Sequence, residues 1–250
     1  ARTLVQKAWA EAGQKRILRN SYVNPQKRGE LFTLTDEQAI ALEKINTSVS
    51  QRDGKTFLLQ GITGSGKTEV YIRAAAQAVE QGKQVLMLVP EIALTAQLVK
   101  RFKAWFGDEV AVAHSKLSQN ERGDVWYKMH THQANILIGV RSAVFAPFEN
   151  LGLIIIDEEH ETSYKQDERP NYHARNVALQ RSQLTGAPLI LGSATPDLES
   201  YHKAITGEYE HLRLTKRATG SELPTVEIVD MRKELAERNF SVLSRKLKQA

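Results

Sequence analysis

Eight residues in the first third of the chain have the types and spacing of a phosphate-binding loop. Gly61 is followed by four residues and then by Gly66-Lys67-Thr68, the pattern in which a glycine-rich turn opens a helix. Glycine lets the backbone curl until successive N–H groups point inward, and the helix N-terminus adds partial positive charge. This concavity suits the β-phosphate of a nucleotide, with Lys67 reaching the β- and γ-phosphates and Thr68 ligating Mg²⁺. The predicted nucleotide-binding residues of the loop are Gly61, Ile62, Thr63, Gly64, Ser65, Gly66, Lys67 and Thr68.

Two adjacent carboxylates, Asp157 and Glu158, follow the most apolar run of the chain, residues 153–156. In a nucleotide-hydrolysing site, Asp157 is predicted to hold Mg²⁺ through water, opposite Thr68, and Glu158 to polarise the attacking water as general base. With Lys67 they form the predicted catalytic set. A helix N-terminal cap is the structural alternative for the pair, and the preceding phosphate loop disfavours it.

Three further polar residues follow two of the apolar runs. His160 is predicted to sense the γ-phosphate, and the hydroxyls of Ser193 and Thr195 to accept that signal through hydrogen bonds. Purely structural roles remain open for these three residues.

Alternating strands and helices must position these side chains. Apolar runs predict strands at residues 57–59, 84–89, 110–113, 135–140, 153–156, 189–191 and 209–214. Helical patterns follow at residues 70–79, 92–106 and 118–130. Continuous apolar strands that alternate with helices indicate an α/β fold of the P-loop NTPase type, with a mostly parallel sheet covered by helices on both faces. A strand before the glycine loop and a helix after it argue against a chance match.

The chain divides into three parts by composition. Residues 1–30 are predicted to be a solvated linker or the tail of a preceding DNA-binding domain, and residues 31–217 one nucleotide-binding lobe. Residues 218–250 are predicted to be a linker and the start of an absent second lobe, with a strand at 226–230 and the start of a helix within 241–248.

Composition excludes several other classes. The chain has no cysteine, which excludes disulfides and thiolate metal sites within it. No apolar run approaches the roughly 20 residues of a membrane span, and no signal segment opens the chain. A net charge of +5 is compatible with binding a phosphate backbone.

Three motifs in order, at residues 61–68, 157–160 and 193–195, resemble motifs I, II and III of superfamily 2 helicases. Residues 89–95 look like motif Ia, and residues 138–148 like motif Ib. The stretches 157–166 and 172–175 are similar to those of the primosomal replication-restart helicases, and the resemblance covers residues 31–248.

This resemblance implies a RecA-like lobe of an ATP-dependent 3′→5′ DNA helicase that acts with primosome proteins and single-strand-binding protein on branched or single-stranded DNA. It implies a bacterial cytoplasmic location at the nucleoid. It assigns Gln38 to adenine recognition and residues 164–175 to an aromatic-rich loop that couples DNA contact to hydrolysis. Within 169–172 the chain has one aromatic where some members also carry a tryptophan. The predicted DNA contacts are Arg141, Ser142, Lys165, Tyr172 and Arg175.

The resemblance also implies an absent second lobe that carries an arginine finger and a cysteine-rich zinc insertion, so that zinc is expected only there. Because arginine fingers contribute on the order of 10³–10⁵ in rate, this chain alone is expected to bind nucleotide and hydrolyse it weakly or not at all. Two alternatives stay open: a superfamily 2 double-strand DNA translocase or restriction-enzyme motor subunit, and a non-enzymatic P-loop scaffold.

Overall fold

The computed structural model describes residues 33–91, 96–218 and 227–249. The chain forms two compact units, one up to residue 219 and one from residue 220. The predicted lead-in over residues 1–30 and the predicted start of a helix at residue 92 lie outside the described residues. No helix in the described ranges is long and apolar enough to cross a membrane.

Strands and helices alternate through the first unit. The strands are β1 (Thr56–Gly61), β2 (Gln84–Leu88), β3 (Val110–Ala113), β4 (Ile136–Gly139), β5 (Leu151–Asp157), β6 (Lys165–Gln166), β7 (Tyr172–His173), β8 (Leu189–Ser193) and β9 (Glu210–Leu214). The helices are α1 (Asp36–Gln51), α2 (Lys67–Glu80), α3 (Ala96–Phe106), α4 (Gln119–His130), α5 (Ala174–Thr185) and α6 (Leu198–Ile205), with short 3-10 turns at Gly107–Glu109, Arg141–Phe145 and Thr162–Tyr164.

Among the described residues, seven strands form one sheet in the order β3-β4-β2-β5-β8-β1-β9, and all of its pairings are parallel. Parallel strands bring their carboxyl ends to one edge of the sheet, where α/β folds bind ligands. The phosphate loop follows β1, Asp157 ends β5 and Ser193 ends β8, and these three strands are neighbours. The predicted α/β fold with a mostly parallel sheet is therefore confirmed.

The core lies in two layers because side chains alternate across each strand. Phe57 and Leu59 pack with α1, α2 and α3 on one face of the sheet, whereas Leu58 faces the layer that contains Met129 of α4 and Ala178 of α5. All five side chains are fully buried. Burial on both faces explains why the strands appear in the sequence as continuous apolar runs.

Two helices begin with a reciprocal cap. Thr35 accepts a hydrogen bond from the Gln38 amide at 3.3 Å, while the Gln38 side chain accepts one from Thr35 N–H. Ser118 and Glu121 form the same pair at the start of α4. Each cap satisfies N–H groups that the helix leaves unpaired, which fixes where the helix starts.

Three predictions differ from the structure. Residues 227–230 form no strand; Ile228 is exposed, and in the described part of the second unit no neighbouring strand is available to hydrogen-bond with this segment. The second unit contains α7 (Met231–Ala236) and α8 (Arg245–Gln249), so the predicted helix within 241–248 begins only at Arg245. In the first unit, the predicted loop 164–175 contains the antiparallel hairpin β6–β7 and the start of α5.

Candidate functional site

A cavity of about 480 Å³ lies at the carboxyl edge of the sheet, next to the phosphate loop. This volume is in the range of small-molecule sites. The residues predicted for phosphate binding, Mg²⁺ binding and catalysis meet there. The lining residues are Thr33, Gln38, Ile62, Thr63, Gly64, Ser65, Gly66, Lys67, Thr68, Glu69, Arg101, Asp157, Glu158 and Ala218.

Glycine is required at two positions of the loop. Gly64 and Gly66 have φ angles of 82° and 83°, a left-handed conformation that other residues adopt only with strain. A Cβ atom at Gly66 would also overlap the Gln38 side chain. The Ser65 hydroxyl is buried and, within the described residues, has no hydrogen-bond partner. An unpaired buried hydroxyl at this point is what a site for an absent polar ligand would leave.

Gln38 is buried in the cavity wall and ties α1 to the loop. Its Nε2 donates to the carbonyl of Ser65 at 2.7 Å, and its Oε1 accepts from Thr35 N–H at 3.0 Å. Both ends of the amide are therefore used within the protein. Adenine recognition by Gln38 stays a prediction, and it would require these bonds to be exchanged for bonds to the base.

Lys67 and Glu158 face each other across the cavity. The Lys67 Nζ donates to the carbonyl of Gly61 at 2.8 Å and lies 4.0 Å from Glu158 Oε1. The loop thus holds the lysine ammonium near the carboxylate predicted to act as general base. The role of Gly61 in this geometry is to accept the Lys67 hydrogen bond through its carbonyl group.

Asp157 is held by two buried tyrosines. The Tyr71 hydroxyl donates to Asp157 Oδ1 at 3.0 Å, and the Tyr164 hydroxyl donates to the main-chain oxygen of Asp157 at 2.6 Å. Burial raises the pKa of the Asp157 carboxyl, the charge of Glu158 adds to this, and Tyr71 and Lys67 oppose it. Burial also raises the pKa of both tyrosines, with Asp157 as the next cause, so each stays protonated and donates.

These donors fit Mg²⁺. A hard cation prefers carboxylate and hydroxyl oxygens, and Asp157 and Thr68 line the same cavity. A cation there would also relieve the repulsion between Asp157 and Glu158.

The three residues predicted to relay the nucleotide state are in contact. His160 Nδ1 lies 2.8 Å from Ser193 Oγ and 3.8 Å from Glu158 Oε2. Ser193 Oγ also accepts the Thr195 N–H at 3.0 Å. A continuous path therefore runs from the carboxylate at the cavity through His160 to the end of β8.

Arg175, one of the predicted DNA contacts, is buried in a cluster of ion pairs. Its side chain is 9% exposed, and its guanidinium lies 3.0 Å from the fully buried Glu159 carboxylate. It also pairs with Asp197 and, at 3.0 Å, with Glu199. Burial would lower the pKa of Arg175, but the hydrogen bonds and charges of Asp197 and Glu159 outweigh it and raise the pKa. A buried guanidinium that pairs with three carboxylates would have to leave them to reach a phosphate. A DNA contact by Arg175 therefore stays a prediction, and this geometry favours a structural role instead.

The other predicted DNA contacts lie at the surface. Arg141 donates to the carbonyls of Ser163 and Lys165, and its guanidinium is 5.8 Å from the Tyr172 ring centroid. Tyr172 also packs edge-on against Phe145, with ring centroids 4.9 Å apart. The exposed Lys165 side chain pairs with Asp167 at 2.8 Å.

A second cavity, of about 330 Å³, opens beside these residues and is lined in part by Arg141 and Ser142. Arg122 of α4 and Ser115 line it too, and the structure adds them to the candidate surface. Sequence reasoning gave Arg122 no DNA role, because one arginine on a polar helix carries no signal of what it faces.

A model of the DEAD/DEAH box helicase family matches residues 35–204, which is more than half of the chain. The chain belongs to the DEAD/DEAH box helicase family. Helicases of this family use ATP and Mg²⁺, in agreement with the cavity.

Sequence similarity to individual proteins is more specific than the family match. The chain is 48% identical over 244 residues to the Replication restart protein PriA of Bacillus subtilis (strain 168), a match that covers 97% of this chain and 30% of that protein. It is 48% identical over 211 residues to the Replication restart protein PriA of Chlamydia pneumoniae, covering 84% of this chain and 28% of that protein. The chain thus spans less than a third of the length of these relatives.

Solved structures agree on the fold. A structure of RecG bound to a three-way DNA junction superimposes with a TM-score of 0.56 at 24% identity, covering 84% of this chain and 28% of that chain. The helicase domain of Pyrococcus furiosus Hef gives 0.52 at 21% identity, covering 71% and 37%. With the parallel sheet, these likenesses confirm the predicted RecA-like lobe.

Proposed function

We propose that this chain is the ATP-binding motor lobe of a 3′→5′ DNA helicase that acts in replication restart. One observation carries the proposal: Lys67, Thr68, Asp157 and Glu158 line a single cavity beside an unpaired buried hydroxyl. Family membership and the similarity to the Replication restart protein PriA support the helicase assignment.

In the proposed mechanism, the loop N–H groups and the N-terminus of α2 bind the phosphates. Lys67 would exchange its bond to the Gly61 carbonyl for the β- and γ-phosphates, and Thr68 with Asp157 would hold Mg²⁺. Bound Mg²⁺ would supply charge neutralisation at the phosphate oxygens. Glu158 accepts the proton of the water that attacks the γ-phosphorus, while the bond from this phosphorus to the β,γ-bridging oxygen breaks and ADP leaves with the electron pair. His160, the neighbour of Glu158, passes the change to Ser193.

Adenine recognition by Gln38 extends this mechanism. Its present bonds to Thr35 and to the Ser65 carbonyl would be exchanged for the adenine edge. Because Ser65 belongs to the phosphate loop, binding of the base would remove a hydrogen bond that now joins Gln38 to this loop.

For the nucleic acid, we propose contacts from Arg141, Ser142, Lys165 and Tyr172, with Arg122 added from the second cavity. Charges that neutralise phosphates release counterions, so affinity for single-stranded or branched DNA should fall steeply with salt and depend little on sequence. Primosome proteins and single-strand-binding protein as partners, and a place at the bacterial nucleoid, follow from the same proposal.

We further propose that hydrolysis requires a second lobe, which supplies an arginine finger and carries any zinc. The chain spans 30% of the Bacillus subtilis relative, and the proposed catalytic set of Lys67, Asp157 and Glu158 contains no arginine. This chain on its own should therefore bind ATP but hydrolyse it slowly, because such an arginine raises the rate of hydrolysis roughly 10³–10⁵-fold. Robust DNA-stimulated turnover by the isolated chain would contradict this part of the proposal.

The decisive test is nucleotide binding by Lys67→Ala, measured with a fluorescent ATP analogue. Charged hydrogen bonds contribute about 1.5–3 kcal/mol each, so affinity should fall by about 10- to 100-fold. Lys55→Ala is the matched control, because Lys55 is exposed at the opposite end of β1. Unchanged binding by Lys67→Ala would favour the non-enzymatic scaffold.

Strand displacement by the complete protein separates the helicase from the translocase and restriction-motor alternatives, which the relatives do not favour. A forked substrate with a 3′ single strand should be unwound, and a blunt duplex should not. Movement on duplex DNA without strand displacement would favour the translocase.

A further inference from the structure

The helix that carries Thr68 also carries a residue that contacts Asp157. Tyr71 lies one turn after Thr68 on α2 and has no exposed surface, and its hydroxyl donates to Asp157 Oδ1 at 3.0 Å. Residues three apart on a helix share a face. One rigid helix therefore bears one proposed Mg²⁺ ligand and holds the other by a hydrogen bond.

The sheet leaves space for this tyrosine. Gly192 of β8 stands opposite Asp157 in the strand register. A Cβ atom at Gly192 would overlap the Tyr71 hydroxyl, and its next contact would be the Tyr71 ring carbon that bears this hydroxyl. Gly192 also accepts the Glu159 N–H at 3.0 Å, which fixes the backbone just after Asp157.

A second tyrosine also bonds to Asp157, but at a different atom, so the two hydroxyls can be compared. Tyr164 is equally buried, but its hydroxyl donates to the main-chain oxygen of Asp157. Removal of either hydroxyl costs a buried hydrogen bond beside Asp157. Of these two hydroxyls, only that of Tyr71 bonds to the carboxylate.

We propose that Tyr71, seated in the space above Gly192, is a positioning residue that orients the Asp157 carboxylate toward a hydrated Mg²⁺. The hydroxyl occupies one side of Oδ1, which restricts rotation of the carboxylate and leaves its remaining lone pairs to the cation. The spacing between Thr68 and Asp157 is then set by α2 rather than by the loop. This inference rests on the proposed function, since it requires that Asp157 hold Mg²⁺.

The test is the Mg²⁺ dependence of nucleotide binding in Tyr71→Phe. Affinity for a fluorescent ATP analogue is measured with Mg²⁺ and with EDTA, in the absence of DNA, and thermal unfolding verifies that the variant is folded. We expect the gain in affinity on adding Mg²⁺ to fall by about 5- to 10-fold, which corresponds to one hydrogen bond of about 1 kcal/mol. Affinity in EDTA should stay within about twofold of wild type, because the Tyr71 hydroxyl bonds to Asp157 and, among the described residues, not to the phosphate loop.

Tyr164→Phe is the matched control and should keep the wild-type Mg²⁺ gain. Gly192→Ala displaces the Tyr71 ring and should lose the gain at least as strongly as Tyr71→Phe. The proposal is overturned if Tyr71→Phe keeps the wild-type gain, or if Tyr164→Phe loses it equally. A wild-type protein without any Mg²⁺ gain would instead contradict the proposed function, so the two failures are distinguishable.

Discussion

Three consecutive acids at the end of β5 lie in opposite electrostatic environments. Asp157 and Glu158 face the cavity, where the Lys67 ammonium is 4.0 Å from Glu158 and is bonded to a carbonyl. Glu159 has a fully buried side chain that pairs with Arg175 at 3.0 Å and accepts bonds from the Ser200 hydroxyl and the Asp197 N–H. Among the described residues, the first two acids have no cation at hydrogen-bond distance and can be compensated further by a ligand, whereas the third is already paired with a hydrogen-bonded guanidinium.

The backbone explains how neighbours come to differ. Asp157 is the last residue of β5, and Glu158 has a φ angle of 45°, a left-handed conformation that turns the chain. Glu159 N–H then donates to Gly192, and its side chain points away from the cavity toward the start of α6. A buried carboxylate needs a cation within hydrogen-bond distance. Where the protein supplies that cation the acid is structural, and where it does not the acid can bind a ligand.

The largest effect is expected for Arg175→Ala. Its removal leaves Glu159 buried without a cation, which should lower the free energy of unfolding by about 3–5 kcal/mol. The measurement is urea unfolding, with the DNA affinity determined under conditions in which the variant is folded. Arg141→Ala is the matched control, since Arg141 is a partly exposed arginine that bonds to carbonyls. It should cost less than about 1 kcal/mol of stability and weaken DNA binding. If Arg175→Ala were stable but defective in DNA binding, Arg175 would be a DNA contact rather than a structural residue.

The next largest effect is expected for Asp157 and Glu158, the two acids that face the cavity, and it concerns stabilisation by bound nucleotide. Saturating Mg²⁺·ATP should stabilise the wild type by about 2.7 kcal/mol when the ligand is at about 100 times its dissociation constant. Asp157→Asn should lose the Mg²⁺-dependent part of this stabilisation, as measured by thermal unfolding with Mg²⁺ or EDTA. Glu158→Gln is the control and should keep the Mg²⁺-dependent part, because we assign Glu158 to the water. Equal losses in the two variants would remove the distinction between ligand and base.

The smallest effect is expected in the pH dependence of stability, through Asp197 of the ion-pair cluster around Arg175. Burial would raise the pKa of Asp197, but the Ser200 N–H and Arg175 outweigh it and hold the pKa below its ordinary value. A carboxyl with a lowered folded-state pKa contributes stability above its ordinary pKa and loses it as the pH falls through the folded-state pKa. The stability advantage of wild type over Asp197→Asn should therefore be complete above about pH 5 and shrink as the pH falls below about 4, the ordinary pKa of an Asp carboxyl. Asparagine keeps the helix cap, so a difference that did not change with pH would contradict this explanation.

Local patterns were sufficient for the phosphate loop and for most strands. The loop needs glycines at fixed offsets and a strand before it, and Gly64 and Gly66 have the left-handed backbone that this requires. The segment at 226–230 shows the limit of the same reasoning. Its alternating β-branched residues favour a strand, but residues 227–230 have no described partner and form none.

Side-chain partners were not predictable in this way. Arg175 follows an exposed hairpin, and its type and position suit a phosphate contact as well as a buried ion pair. Tyr71 lies among apolar residues of α2 and has the spacing of an ordinary core residue. Nothing near either residue in the chain identifies its partner, since Glu159 is 16 residues from Arg175 and Asp157 is 86 residues from Tyr71.

The sequence by itself determined the α/β fold, the phosphate loop and the order of the acids and hydroxyls that follow the strands. These depend on residue type and short-range spacing, which the backbone converts directly into turns, strands and helix starts. Only the tertiary structure decided which acid is paired with a cation and which is left for a ligand. That choice depends on residues brought together from distant strands and helices, and on how far their packing removes each carboxylate from water.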